Sequence, residues 1–207
     1  MSTIKIVVAS GLHKTYAEDI CKLIEVSAAQ RGTGIAKRSP QYIQEKMNQN
    51  EAVIALANER LAGFCYIESW SDKKYVANSG LIVHPEFRKI GLARRIKKAA
   101  FQLSMKKFPD AILFGLTTSL PVMKINSDLG YYPVTYNQLT TDETFWNGCK
   151  SCVNYEILLS KNRSNCMCTA MMYDPRSKKK KWDFIKKSRL YERFMRLKKK
   201  KLSKKYA

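Results

Sequence analysis

A chain of 207 residues with 45% hydrophobic and 27% charged residues has the composition of a folded protein with one full core, not of a disordered one. The apolar run in Met1-Ser2-Thr3-Ile4-Lys5-Ile6-Val7-Val8 is too short for a signal-peptide core or a membrane span. A soluble, cytoplasmic protein is therefore expected, with its six cysteines as reduced thiols or metal ligands rather than disulfides.

The net charge of +21 is unevenly spread. From Arg176 onward 16 Lys/Arg face only Asp183 and Glu192, whereas residues 1–175 hold 22 basic and 15 acidic groups. This predicts a mildly basic domain over 1–175 and a basic tail over 176–207, helical or partly disordered. In the tail, Lys178–Lys181 and Lys198–Lys201 flank Trp182, Ile185, Tyr191, Phe194, Met195 and Leu197. Such a segment is either a solvated extension or a docking element for nucleic acid, an anionic membrane surface or an acidic protein.

Along the chain, Ile4–Ala9 reads as a first strand. His13–Arg31 places Tyr16, Ala17, Ile20, Leu23 and Ile24 at helical spacing and stops at Gly32. Ser39-Pro40 caps a second helix to about Asn48. Ala52–Ala57 and Leu61–Ser69 form a hairpin around Asn58-Glu59-Arg60, and Val76–Val83 is a further strand. Gly91–Lys107 is a helix, Ile112–Thr118 a strand, Val122–Leu129 a short helix, and Tyr131–Tyr136 a strand. Thr141–Asn147 is a capped helical turn, and Tyr155–Leu159 with Met167–Tyr173 a closing pair of strands. This order gives a mixed α/β (α+β) fold with an antiparallel front half and no internal repeat.

The chemistry concentrates in Leu81-Ile82-Val83-His84-Pro85-Glu86-Phe87-Arg88-Lys89-Ile90-Gly91-Leu92-Ala93. A strand ends at Pro85, and a turn carrying two cations and small residues opens a long helix. Helix-start N–H groups, the positive end of the helix dipole and flanking cations together make a pyrophosphate site.

Arg88-Lys89-Ile90-Gly91-Leu92-Ala93 resembles the R/Q-x-x-G-x-G/A signature of GNAT acyltransferases, and Val83-His84-Pro85 fits the end of that fold's fourth strand. The likeness covers roughly residues 4–175. It implies the GNAT fold, a mostly antiparallel central sheet flanked by helices, and acetyl-CoA or another short acyl-CoA as co-substrate. By that resemblance the backbone at Ile82 and Val83 pairs with the pantetheine arm. The amides of Lys89, Ile90, Gly91, Leu92, Ala93 and Arg94, with Arg88 beside them, hold the pyrophosphate.

Two further segments resemble the acyltransferase domain of N-acetylglutamate synthase: Gly34-Ile35-Ala36-Lys37-Arg38-Ser39, and Leu116-Thr117-Thr118 ahead of Leu129-Gly130-Tyr131. The resemblance implies that Lys37, Arg38, Thr117 and Thr118 lie near an amino-acid acceptor. Lys37 and Arg38 suit a small substrate's carboxylates, or are solvated loop charges. The implied reaction moves an acetyl or succinyl group to the α-amine of an amino acid such as glutamate, a step of amino-acid biosynthesis. Its rivals are acylation of a protein amine and a nucleic-acid-binding protein with a vestigial domain.

Many GNAT enzymes place a general-acid tyrosine where this chain has Asn126, so that role does not carry over; Tyr131 or Tyr132 is a substitute or core. Glu68, at the end of the hairpin strand, is the first candidate for general base, directly or through water. His84, before a proline, reads as structural. Finally, Cys149-Lys150-Ser151-Cys152 and Cys166-Met167-Cys168 are two thiol pairs fit either for a four-ligand zinc site, with Cys166 and Cys168 on one face of a strand, or for small buried apolar groups.

Overall fold

The computed structural model describes residues 3–31 and 37–177. One compact unit closes at Tyr173 and a second begins at Asp174. The expected basic, aromatic-bearing segment from Lys178 onward lies outside the described residues.

The first unit is built on β1 (Ile4–Val8), β2 (Ala52–Ala57), β3 (Arg60–Trp70), β4 (Tyr75–Val83), β5 (Ile112–Thr117), β6 (Tyr132–Pro133) and β7 (Thr169–Tyr173). These form one sheet in the order β1-β2-β3-β4-β5-β7-β6, antiparallel except for the β4/β5 pair. Helices α1 (Ala17–Arg31) and α2 (Pro40–Asn48) precede β2, and α3 (Leu92–Lys107) makes the crossover that a parallel pair requires. Shorter helices follow at α4 (Leu120–Asp128), α5 (Glu143–Asn147) and α6 (Tyr155–Ser160), and a 3-10 turn over Gly11–Tyr16 leads into α1. This is the mixed α/β, mostly antiparallel arrangement expected.

Strand alternation distributes the core over both faces of the sheet. On β2, Ile54 packs with Ile20, Ile24, Ile43 and Met47 of α1 and α2. Its neighbours Val53 and Ala55 pack instead with Leu92, Ile96 and Ala100 of α3. On β5 and β7 the same alternation sends Leu113, Met171 and Tyr173 towards Tyr131, and Phe114, Ala170 and Met172 towards Tyr136 and Trp146.

Three elements differ from expectation. Tyr155–Ser160 is helical, not a strand: Leu158 alone is buried, so the segment has one anchor rather than an alternating face, and β7 takes β5 and β6 as its partners. The strand expected over Tyr131–Tyr136 pairs only at Tyr132 and Pro133, since Tyr136 opens a 3-10 turn. Helix α4 starts at Leu120 with Ser119 as N-cap and Pro121 in its first turn, earlier than Val122.

Two irregularities open the sheet locally. Strands β4 and β5 pair only over Tyr75–Ala77 and Ile112–Phe114. Beyond that point β4 continues along β3 while β5 continues along β7, so the two part and leave a wedge. Within β4, Tyr66 faces Ser79 while Phe64 faces Ile82, leaving Gly80 and Leu81 opposite Cys65 alone, a β-bulge. Gly80 takes φ 61°, and a Cβ there would enter the Tyr66 ring, so glycine is required on both counts. Among the described residues no helix is long and apolar enough to cross a membrane.

Gly63 shows how closely α3 lies on the sheet: a Cβ would stand 2.5 Å from Ile96 Cδ1 and 2.8 Å from the Ile82 carbonyl. Gly63→Ala is expected to cost about 1–3 kcal/mol in urea unfolding, because one of the obstructing atoms is backbone. Gly115→Ala, whose Cβ meets nothing within 4 Å, is expected to be neutral or slightly stabilising in the same measurement.

Candidate functional site

The turn after β4 is fastened before it reaches the helix. His84 N–H donates to Ala62 O (2.9 Å), Pro85–Phe87 forms a 3-10 turn, and Arg88 N–H donates to Pro85 O (3.2 Å). The Arg88 side chain returns to the strand, its Nε donating to Val83 O at 3.2 Å. Lys89 (φ 66°) and Gly91 (φ 75°) are both left-handed, and they bracket Ile90 to bring the chain onto the axis of α3 with Gly91 at the N-cap. The first intrahelical bond is Arg95 N–H to Gly91 O (3.3 Å), so the N–H groups of Leu92, Ala93 and Arg94 have no acceptor within the helix. A Cβ on Gly91 would meet nothing within 4 Å, which marks open space over this row of donors. Arg94 pairs with Asp128, tying the start of α3 to the end of α4.

The predicted cofactor residues thus lie together, and their side chains divide. Ile82 and Leu92 are buried in the core on opposite faces of the sheet, so only their backbone is available to a ligand. Ile90 is 58% exposed. Beside the turn lies a depression of about 540 Å³ that takes in Val83, Arg88, Lys89 and Ala93, with α4 as its far wall.

A second cavity, of about 620 Å³, occupies the wedge between β4 and β5. Leu81, Ser119 and Val122 border both spaces, so the depression at the turn and the wedge cavity adjoin. Lys37, Arg38, Glu68, Thr117 and Thr118, which the sequence placed at the chemistry, all line this second cavity. At its mouth Glu68 Oε1 accepts from Tyr42 Oη (2.7 Å) and from the Arg38 guanidinium (3.2 Å). The guanidinium lies 5.2 Å from the Tyr42 ring centre and 6.0 Å from that of Tyr66, within cation–π range. Burial, with Glu68 close by, pushes the Tyr42 and Tyr66 phenols well above their ordinary range, so both stay protonated. Arg38 Nε is buried without a hydrogen-bond partner among the described residues. Ser39 sets this geometry, its Oγ accepting from Tyr42 N–H (3.2 Å) to cap α2 between the two site residues.

Residues 36–118 match the family described as Acetyltransferase (GNAT) family. The matched stretch runs from the approach to α2 to the end of β5 and contains the Arg88–Arg94 turn. Solved structures share this chain's fold. N-acetylglutamate synthase from Neisseria gonorrhoeae, complexed with coenzyme A and N-acetyl-glutamate, superposes with a TM-score of 0.60 at 17% identity, over 84% of this chain and 35% of that one. Rv2747 from Mycobacterium tuberculosis, in complex with CoA and NLQ, gives 0.58 at 14% over 82% and 98% of the two chains. YncA from Salmonella typhimurium with its cofactor acetyl-CoA gives 0.57 at 11% over 84% and 95%. The chain thus spans about a third of the length of the gonococcal synthase. A search of curated proteins gave no match.

The four late cysteines are not arranged as zinc ligands. Among the described residues no group of three or more His, Cys, Asp or Glu is placed to hold a metal ion. Cys166 and Cys168 precede β7 instead of lying on it, so the shared strand face expected of them does not form. Cys152 Sγ accepts from Asn154 N–H (3.4 Å), and Tyr136 Oη donates to Cys168 O (2.9 Å) between the two pairs. Burial, reinforced by neighbouring thiols, pushes Cys149 up to about 11 and Cys168 up to about 12, so they stand as neutral thiols.

Several residues of the site escaped the sequence reading, and two of them left a signal. Gly80, a glycine inside a strand, marks the bulge. Lys97 falls on the buried stripe of α3 with Leu92, Ile96, Ala100 and Ser104, where a lysine is out of place. Tyr42 and Tyr66 had no local signal, because their role comes from strand and helix packing at long range.

Glu68→Leu removes both acceptor contacts and strands a partly buried Arg38; a loss of about 1–3 kcal/mol in urea unfolding is expected. At pH 8.5, Cys149 is expected to react with iodoacetamide roughly 50–100-fold more slowly than in the urea-unfolded chain, since the folded thiol titrates about two units higher, as read by mass spectrometry of the labelled peptide.

Proposed function

We propose that this domain transfers an acyl group, acetyl or succinyl, from acyl-CoA to the α-amine of a small amino acid, with glutamate the leading acceptor. The observation that carries the reading is that the depression beside the Arg88–Arg94 turn adjoins a cavity whose mouth holds a half-buried guanidinium with an unpartnered Nε. The likeness to a synthase complexed with coenzyme A and N-acetyl-glutamate supports it.

In this reading the pyrophosphate sits over Gly91 on the free N–H groups of α3, with Lys89 and Arg88 adding charge. The pantetheine arm follows the edge of β4 that the parting from β5 leaves unpaired, passing Val83 and Leu81. The bulge at Gly80 and Leu81 offers strand N–H to the thioester carbonyl, where negative charge grows as the amine attacks. The C–N bond forms, the C–S bond breaks, and the electron pair leaves on sulfur as the CoA thiolate. The acceptor's carboxylate takes the Arg38 fork. Glu68, held by Tyr42, is the group nearest that carboxylate site able to receive the amine's proton, directly or through a water. Thr117 and Thr118 border the acceptor on the β5 side.

Thiol release from acyl-CoA is expected to depend on free glutamate. Acyl-CoA binding without release against any free amino acid would instead move the acceptor to a protein amine. Arg38→Leu is expected to raise the KM for glutamate at least about tenfold with a smaller effect on that for acyl-CoA, and Arg88→Glu to do the reverse. An unchanged acyl-CoA KM in Arg88→Glu would count against the phosphate assignment.

A further inference from the structure

The vertex of the wedge carries a cation that the proposed transfer leaves without a role. Lys97, on α3, is 3% exposed and lines the wedge cavity. Its Nζ donates to Asn78 O (3.3 Å), the carbonyl just past the last β4/β5 pair. The amine also lies 5.6 Å from the centre of the Tyr131 ring. Among the described residues it has no acidic partner. The titratable groups that face it are Cys65 from β3 and Tyr131 after α4, and burial holds both protonated. Asn78 on β4 and Asn126 on α4 add neutral amides, and Asn78 Oδ1, Asn126 Oδ1 and Tyr131 Oη are buried with no partner. A lysine buried without a counter-charge costs stability, and burial accordingly lowers its proton affinity. That cost is recovered when a ligand supplies an anion.

Resting on the acyl-CoA reading, we propose that Lys97 recognises the terminal carboxylate of the donor's acyl group, so that the preferred donor is a dicarboxylic acyl-CoA of about four carbons. The bulge that would hold the thioester carbonyl, at Gly80 and Leu81, lies two to three residues from Asn78, roughly 7–10 Å along the strand. An acetyl methyl extends only about 1.5 Å past the carbonyl carbon and leaves Lys97 unpaired. A four-carbon chain ending in a carboxylate spans about 8 Å to an ammonium nitrogen, counting its bonds and one charge-assisted hydrogen bond.

The test compares succinyl-CoA with butyryl-CoA, which has the same length without the charge, and with acetyl-CoA, using glutamate as acceptor. In the wild-type protein kcat/KM for succinyl-CoA is expected to exceed that for butyryl-CoA at least about 100-fold. In Lys97→Met that ratio is expected to collapse towards one. Calorimetry on the wild-type protein gives an independent readout. Succinyl-CoA is expected to bind at least about tenfold more tightly than butyryl-CoA. Butyryl- or acetyl-CoA outperforming succinyl-CoA, or a ratio that survives Lys97→Met, overturns the proposal while leaving the acyl-CoA reading intact. Failure of every acyl-CoA to bind overturns both.

Discussion

The site depends on one event in the sheet: the parting of β4 from β5 after Ala77 and Phe114. A twisted sheet can lose a pairing midway only if other contacts hold the strands on either side. Here β4 keeps β3 along its other edge and β5 keeps β7, so each arm of the wedge is supported from outside. The vertex is packed with rings: Phe114 lies 4.9 Å from Phe145, 5.5 Å from Trp70 and 6.1 Å from Tyr75, centre to centre. The opening is therefore framed by a well-packed core. Its inner walls are strand edges with backbone groups available to a ligand, an arrangement a closed sheet does not offer.

Around this opening the fold sets three kinds of charge. The turn before α3 gathers partial positive charge from backbone N–H groups, and the two left-handed residues Lys89 and Gly91 aim them. The mouth pairs a full positive charge with a full negative one, Arg38 with Glu68, and adds two protonated phenols. The vertex holds Lys97 with neutral neighbours only. Among the described residues Glu68 is the sole acid lining the wedge cavity, which gives that space a positive bias suited to an anionic donor and an acidic acceptor.

Much of this was legible in the sequence, for reasons that can be named. The order of elements followed from apolar periodicity and from caps such as Ser39-Pro40, and the turn into α3 was readable because strand, proline, basic pair, glycine and helix are contiguous. Arg38, Glu68, Thr117 and Thr118, singled out separately in the sequence, line one cavity although they come from three separate elements. What failed was local. Tyr155–Ser160 is too short and too exposed for its pattern to separate helix from strand, and the zinc expectation assumed a strand at Cys166–Cys168 that begins only at Thr169. Lys97 and the bulge were written in the sequence as a lysine on an apolar helix stripe and a glycine within a strand. Both are breaks of a local rule, the form in which functional positions tend to show themselves.

The two halves of the cavity have different origins in the chain. In the proposed function the donor side is drawn mainly from one contiguous stretch, Leu81–Arg94, completed by the first turns of α4. The acceptor side is assembled from the approach to α2, the end of β3, the end of β5 and the turns around Phe145 and Cys149, segments far apart in sequence. On that proposal, a substitution on the acceptor side need not disturb the stretch that would grip the donor, so the acceptor could change while the donor is kept. Lys97 stands at the junction of the two halves, and a change there would alter what is transferred without altering to whom.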